Sequence, residues 1–145
     1  RRLVNTKSDL DLAQKHLKKS EYNYCVVQTL ETLKIYDWAL NIGFYSIYHC
    51  FLAILSKYGY SSKNQSCTIT VLLDLIDQKK LSLDKDLVLQ FDTLEVEKDM
   101  TSSTVRMERE ISTYGVETSI NLQQLKHIKE IIVKVQRETI KILAE

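Results

Sequence analysis

The stretch IYDWALNIGFYSIYHCFLAILSKYGY, Ile35 to Tyr60, constrains this chain more than any other. Between Asp37 and Lys57 it holds no Asp, Glu, Lys or Arg, so only His49 can carry charge there. At helical spacing its apolar and aromatic groups fall on every side. A helix without a polar face is either the centre of a bundle or a membrane span. The uncharged run is about as long as a spanning segment. It also contains Asn41, Ser46, Tyr45, Tyr48 and His49, groups that are costly to leave in hydrocarbon. The segments around it are strongly amphipathic, which suits packing in water. The expectation is a central helix in a bundle, with no membrane.

The chain has 145 residues, which favours one domain (1–145) with one sizeable core. Zero Pro and three Gly favour long helices over sheets rich in tight turns. A formal net charge of +1 is no electrostatic footprint for a dedicated DNA binder, although it leaves room for a local basic patch. Cys25, Cys50 and Cys67 form no CxxC pair, which reads as buried, reduced thiols in a cytoplasmic protein. The first residues are charged, and nothing among them resembles a signal peptide. No metal or other cofactor is expected. His49 and Cys50 are adjacent, and adjacent helical side chains point about 100° apart rather than converging.

Along the chain, Ser8 with Asp11 resembles a helix start. Leu10, Ala13, Leu17, Tyr24, Val27, Leu30 and Leu33 then recur at threes and fours, which predicts one helix from about Ser8 to Lys34. Ser20 to Asn23 interrupts its apolar face. Asp37 is a reasonable N-cap for the central helix, and Gly59 suits the left-handed position that closes one. Ser61 to Ser66 reads as a polar loop, followed by a helix from Ser66 to Gln78 with Ile69, Leu72, Leu73 and Ile76 inward. A shorter helix over Leu83 to Val96 carries Leu87, Phe91 and Leu94. Glu95 to Thr104 reads as irregular, and Val105 to Tyr114 as a helical turn. Asn121 with Gln124 resembles a capping box for the last helix. Its stripe is Leu125, Ile128, Ile132, Val135 and Ile142, with Lys126, Lys134, Arg137 and Lys141 on another side, which reads as a solvated face or, less commonly, a phosphate-binding one. The fold class expected is an all-α, up-down bundle of about five helices, with the two long N-terminal helices forming an antiparallel hairpin.

Trp38 to His49, WALNIGFYSIYH, resembles the second long helix of the HEPN family (higher eukaryotes and prokaryotes nucleotide-binding). Phe44-Tyr45-Ser46 takes the place of that family's Tyr-Tyr-Ala-like triplet, and Tyr48-His49 that of its aromatic-His pair. Gly59 followed by Ser62-Lys63-Asn64-Gln65 is similar to the Gly and Lys/Ser-His loop that leads into the next helix. Arg109 to Tyr114-Gly115 resembles an Arg…Tyr element before the last long helix. The three motifs occur in the family's order over most of the chain. The resemblance implies a compact helical bundle, commonly a homodimer, encoded with or fused to a minimal nucleotidyltransferase as in toxin–antitoxin pairs. Active members are metal-independent RNases with an Arg-x(4–6)-His motif. There the His moves a proton at the ribose hydroxyl or leaving oxygen, and the Arg holds the phosphate and the charge that builds on it.

This chain departs from the motif where the Arg belongs. Counting back from His49, the positions hold Phe44, Gly43 and Ile42, with Asn41 one step further, and none is cationic. His49 therefore has two readings, a core histidine bonded to a Tyr or the backbone, or a catalytic group working with a cation from elsewhere, such as Lys63 or Arg109. The nucleotide or RNA contacts that the resemblance suggests are Asn41, Tyr45, Tyr48, Lys63, Asn64, Arg109 and Tyr114. Each also has a plain reading as packing, interface or solvated loop. His16 and His127 have no matched partner in sequence and read as surface groups. The expectation is a dimeric binding module with absent or weak RNase activity. The alternative is a metal-independent endoribonuclease built on His49.

Overall fold

In the computed structural model, residues 3–5, 8–62, 64–100 and 119–145 are described. They form an all-α bundle with five helices: α1 (Leu10–Thr32), α2 (Tyr36–Lys57), α3 (Gln65–Asp77), α4 (Lys85–Met100) and α5 (Ser119–Ala144). Two three-residue strands, β1 (Leu3–Asn5) and β2 (Tyr60–Ser62), pair antiparallel, with Leu3 opposite Ser62. The segment read as a polar loop thus begins with a strand. A three-residue strand is too short to show an alternating pattern, and its partner lies far away in sequence. Lys63, Arg109, Tyr114 and the turn expected over Val105 to Tyr114 lie outside the described residues.

α1 starts where Asp9 caps it, its carboxylate accepting from the Leu12 N–H at 2.9 Å. It is one unbroken helix across Ser20 to Asn23. It ends with Lys34 in the left-handed region (φ 61), while Ile35 N–H donates to Leu30 O at 2.8 Å. That is the 6→1 bond of a Schellman turn. The chain then reverses directly into α2. Asp37 does not cap α2: the cap position is Ile35, which has no side-chain cap bond, and Asp37 lies inside the first turn. A carboxylate there still faces the positive end of the helix dipole. At the other end, Gly59 (φ 84) takes the left-handed position.

The two long helices form an antiparallel hairpin whose contacts nest around the Leu33 turn. Ser46 meets Ser20, His49 meets His16, and Ser56 O accepts from Asp9 N–H. α5 lies across both, antiparallel to α1 and parallel to α2. Lys129 pairs with Glu31, Gln136 reaches Ser20, and the Lys57 ammonium donates to Ile142 O. Gly43 permits this approach. A Cβ at that position would sit 3.2 Å from Ile128 Cγ2 and 3.4 Å from Ile132 Cδ1.

α2 fills the centre. Ala39, Ile47, Cys50, Phe51, Ala53, Ile54 and Leu55 are all buried. By length and composition α2 could cross a membrane, but more than half of its most apolar window is covered by the rest of the fold. On its far side Phe91 of α4 stacks on Phe44 (centroids 4.5 Å) and meets Phe51 edge-on at 5.0 Å. α4 continues to Met100, through residues whose charge had suggested irregular structure. α3 begins at an Asn64 cap, and α5 begins two residues before the Asn121 expected to cap it. In α1, Ala13, Leu17 and Val27 are buried, whereas Leu10 and Leu33 at its two ends are exposed. Of the three cysteines expected to be buried, only Cys50 is; Cys25 is exposed on α1 and Cys67 is half-buried in the first turn of α3.

Candidate functional site

His49 sits just past the middle of α2, half-buried, and turned toward α1. Its partner is neither a Tyr nor the backbone. Its Nδ1 lies 3.1 Å from Nδ1 of His16, with the rings stacked at 5.3 Å between centroids and 29° between planes. The reading of His16 as a surface group is therefore corrected: it is half-buried and is the partner of His49. Position 16 follows an exposed turn of α1 (Asp11, Leu12, Gln14, Lys15), so local polarity pointed outward. Only the hairpin register brings the two residues, 33 positions apart, together.

The electrostatics of the pair are one-sided. Burial lowers the pKa of His16 from the ordinary value of 6.5. That of His49 is lowered by burial first, then by His16 and by the Lys19 ammonium on the next turn of α1. A hydrogen bond between two Nδ1 atoms needs one N–H and one lone pair, so one imidazole in each pair must be neutral. With both rings neutral, the state their lowered pKa values favour, the donor ring leaves a bare Nε2 and the acceptor ring an Nε2–H. The pair offers one acceptor and one donor, with no guanidinium beside it on α2. One turn and more before His49, Asn41 and Ile42 are half-buried, and Gly43 is closed against Ile128 and Ile132 of α5.

The other expected contacts scatter. Tyr45 is on the His49 side of α2 and is 42% exposed. Tyr48 faces α3 and α4 instead, where its ring stacks on Phe91 at 6.2 Å and its hydroxyl lies 3.3 Å from Thr68 Oγ1. Asn64 is a cap, its side-chain oxygen accepting from Cys67 N–H at 3.2 Å. These groups do not converge on one cleft with His49. Among the described residues, no three His, Cys, Asp or Glu side chains gather where a metal could be held.

Two further features lie apart from the expected contacts of His49. Beside the histidines, Ser20 is fully buried and shares its hydroxyl with Ser46 Oγ (3.1 Å), Cys50 Sγ (3.1 Å) and the Gln136 amide N–H (3.0 Å). The interruption in the apolar face of α1 is thus a polar knot joining α1, α2 and α5. Burial pushes the Cys50 thiol up to about 11, against the opposing pull of its hydrogen bonds to Ser20 and Thr139.

The second feature is a groove of about 400 Å³ where α5 passes Tyr24 of α1. Lys126, Lys134 and Arg137, read from sequence as a solvated side, line it together with Lys129, Glu130 and Val133. Lys141 is outside it and pairs with Glu138.

The sequence matches no protein-family model and no curated protein.

Proposed function

We propose that this chain is a HEPN-like helical binding module, dimeric and cytoplasmic, that pairs with a minimal nucleotidyltransferase in a toxin–antitoxin-like system and has lost RNase chemistry. The observation that carries the reading is the environment of His49. Its imidazole is hydrogen-bonded to a second imidazole, and the α2 positions where the family places Arg hold Phe44, stacked on Phe91, a Gly43 packed against α5, and Ile42. Without a fixed cation, the charge that builds on a transferring phosphate has no partner on this helix. Losing such a group removes several kcal/mol of transition-state stabilisation. The dimer expectation is supported by Trp38, which is 57% exposed near the start of α2. Large aromatics are favoured at the centres of protein interfaces.

The test incubates purified protein and His49→Ala with structured and single-stranded RNA, alongside light scattering at micromolar concentration. Equal inactivity of both proteins and a dimeric mass are expected, as is co-purification with a minimal nucleotidyltransferase encoded beside this chain. A monomer that leaves the nucleotidyltransferase free contradicts the pairing.

One observation favours a second reading, a metal-independent endoribonuclease. Lys19 of α1, whose ammonium lies over the Tyr22 ring at 4.9 Å, also lowers the pKa of His49 by its charge, so α1 holds a cation within electrostatic range of this imidazole. RNA cleavage that disappears in both His49→Ala and Lys19→Ala would establish that reading instead.

A further inference from the structure

The groove between α5 and Tyr24 has an uneven charge. Its lining holds four cations and one carboxylate in a chain whose formal net charge is only +1. Lys129 is neutralised by Glu31. Lys126, Lys134 and Arg137 have no ion-pair partner among the described residues, although other lysines on the same fold do. Lys134 and Arg137 are neighbours at i, i+3, where like charges repel by a few tenths of a kcal/mol. Three unpaired cations around a concavity form a surface complementary to an anionic partner.

The floor of the groove says which kind. Val133 is exposed, and Tyr24 is half-buried with its ring packed on the core. Lysine stems add further apolar surface. A nucleic-acid strand uses a free aromatic face for stacking and gains little from an aliphatic floor. An acidic amphipathic helix uses both parts, apolar side chains on the floor and carboxylates on the rim. Lys126 to Arg137 spans about 16 Å of helix, three turns, the reach of a short partner helix.

We propose that this groove docks an acidic amphipathic segment of a partner protein, with Lys126, Lys134 and Arg137 meeting its carboxylates and Val133 and Tyr24 its apolar side. The assignment stands on this geometry and does not depend on the family resemblance.

The experiment measures fluorescence anisotropy of a labelled 14-residue peptide with Leu at helical threes and fours and Glu between. A Lys-for-Glu version of the peptide and a labelled 12-nucleotide oligouridylate are measured beside it. The acidic peptide binds, and Lys134→Glu/Arg137→Glu weakens it at least tenfold. Val133→Asp weakens it similarly at high salt, where charge is screened. The equally charged control Lys18→Glu/Lys80→Glu leaves binding within twofold. All these positions are exposed, and circular dichroism confirms that each variant is folded. Absence of peptide binding overturns the proposal. So does tighter binding of the oligouridylate that Val133→Asp leaves unchanged, which would make the groove a nucleic-acid surface.

Discussion

His16 and His49, on antiparallel helices, share one hydrogen bond between their Nδ1 atoms at 3.1 Å. Both pKa values are lowered in the folded state. The unfolded chain therefore binds protons more readily than the folded one below the ordinary histidine value of 6.5, and stability there rises with pH. The contribution is fully present above about pH 6.5 and is lost as pH falls toward the lowered folded values. Melting followed by circular dichroism will show a lower Tm at pH 5 than at pH 7.5. In His16→Asn/His49→Asn, which keeps a polar pair of similar reach, this part of the slope disappears. An unchanged slope would mean that other groups carry it.

Gly43→Ala sets two effects against each other. Ala favours helix by about 1 kcal/mol over Gly. The new methyl would stand 3.2 Å from Ile128 Cγ2, a branch on Cβ that yields only by a shift of α5 or a change of χ1, which is stiff for Ile in a helix. Overpacking of this kind costs about 1–3 kcal/mol. The net expectation is a loss of about 1 kcal/mol in urea unfolding. Ile128→Leu removes the Cγ2 branch, so Gly43→Ala in that background should be neutral or stabilising.

Ser20→Ala removes the hydroxyl that Ser46, Cys50 and Gln136 share. Orphaning buried polar partners costs about 1–3 kcal/mol. Burial, rather than the hydrogen bonds of the knot, keeps Cys50 unreactive, since a thiol with a pKa of about 11 is almost wholly protonated at pH 8. Titration with a thiol reagent under native conditions will modify the exposed Cys25 quickly, and Cys50 only on unfolding. Ser20→Ala should speed the labelling of Cys50 by increasing local opening.

Two helices close on lysines in the left-handed region, Lys34 (φ 61) after α1 and Lys79 (φ 59) after α3. A Cβ there meets the following carbonyl oxygen, a strain of about 1–2 kcal/mol. Glycine avoids the clash but loses more entropy on folding. Lys79→Gly and Lys34→Gly should each stabilise the protein by about 0.5–1 kcal/mol, read as a rise in the urea midpoint. Gly59→Ala should do the reverse, because Gly59 occupies the same region at φ 84.

The amino-acid sequence determined the helices and their order. An uncharged segment of this length is at the centre of any bundle it belongs to, and the spacing of Leu125, Ile128, Ile132, Val135 and Ile142 sets the buried face of α5 unaided. Those are local signals, readable because burial repeats every three or four residues along one helix. The partners of polar groups were decided by tertiary register. Ser20 looked like a flaw in a stripe and is the knot between three helices. His16 looked like a solvated residue and is the partner of His49. Asp37 looked like a cap and is not one. A hydrogen bond between helices depends on how two separate chain segments slide and rotate against each other, and no single segment encodes that relation.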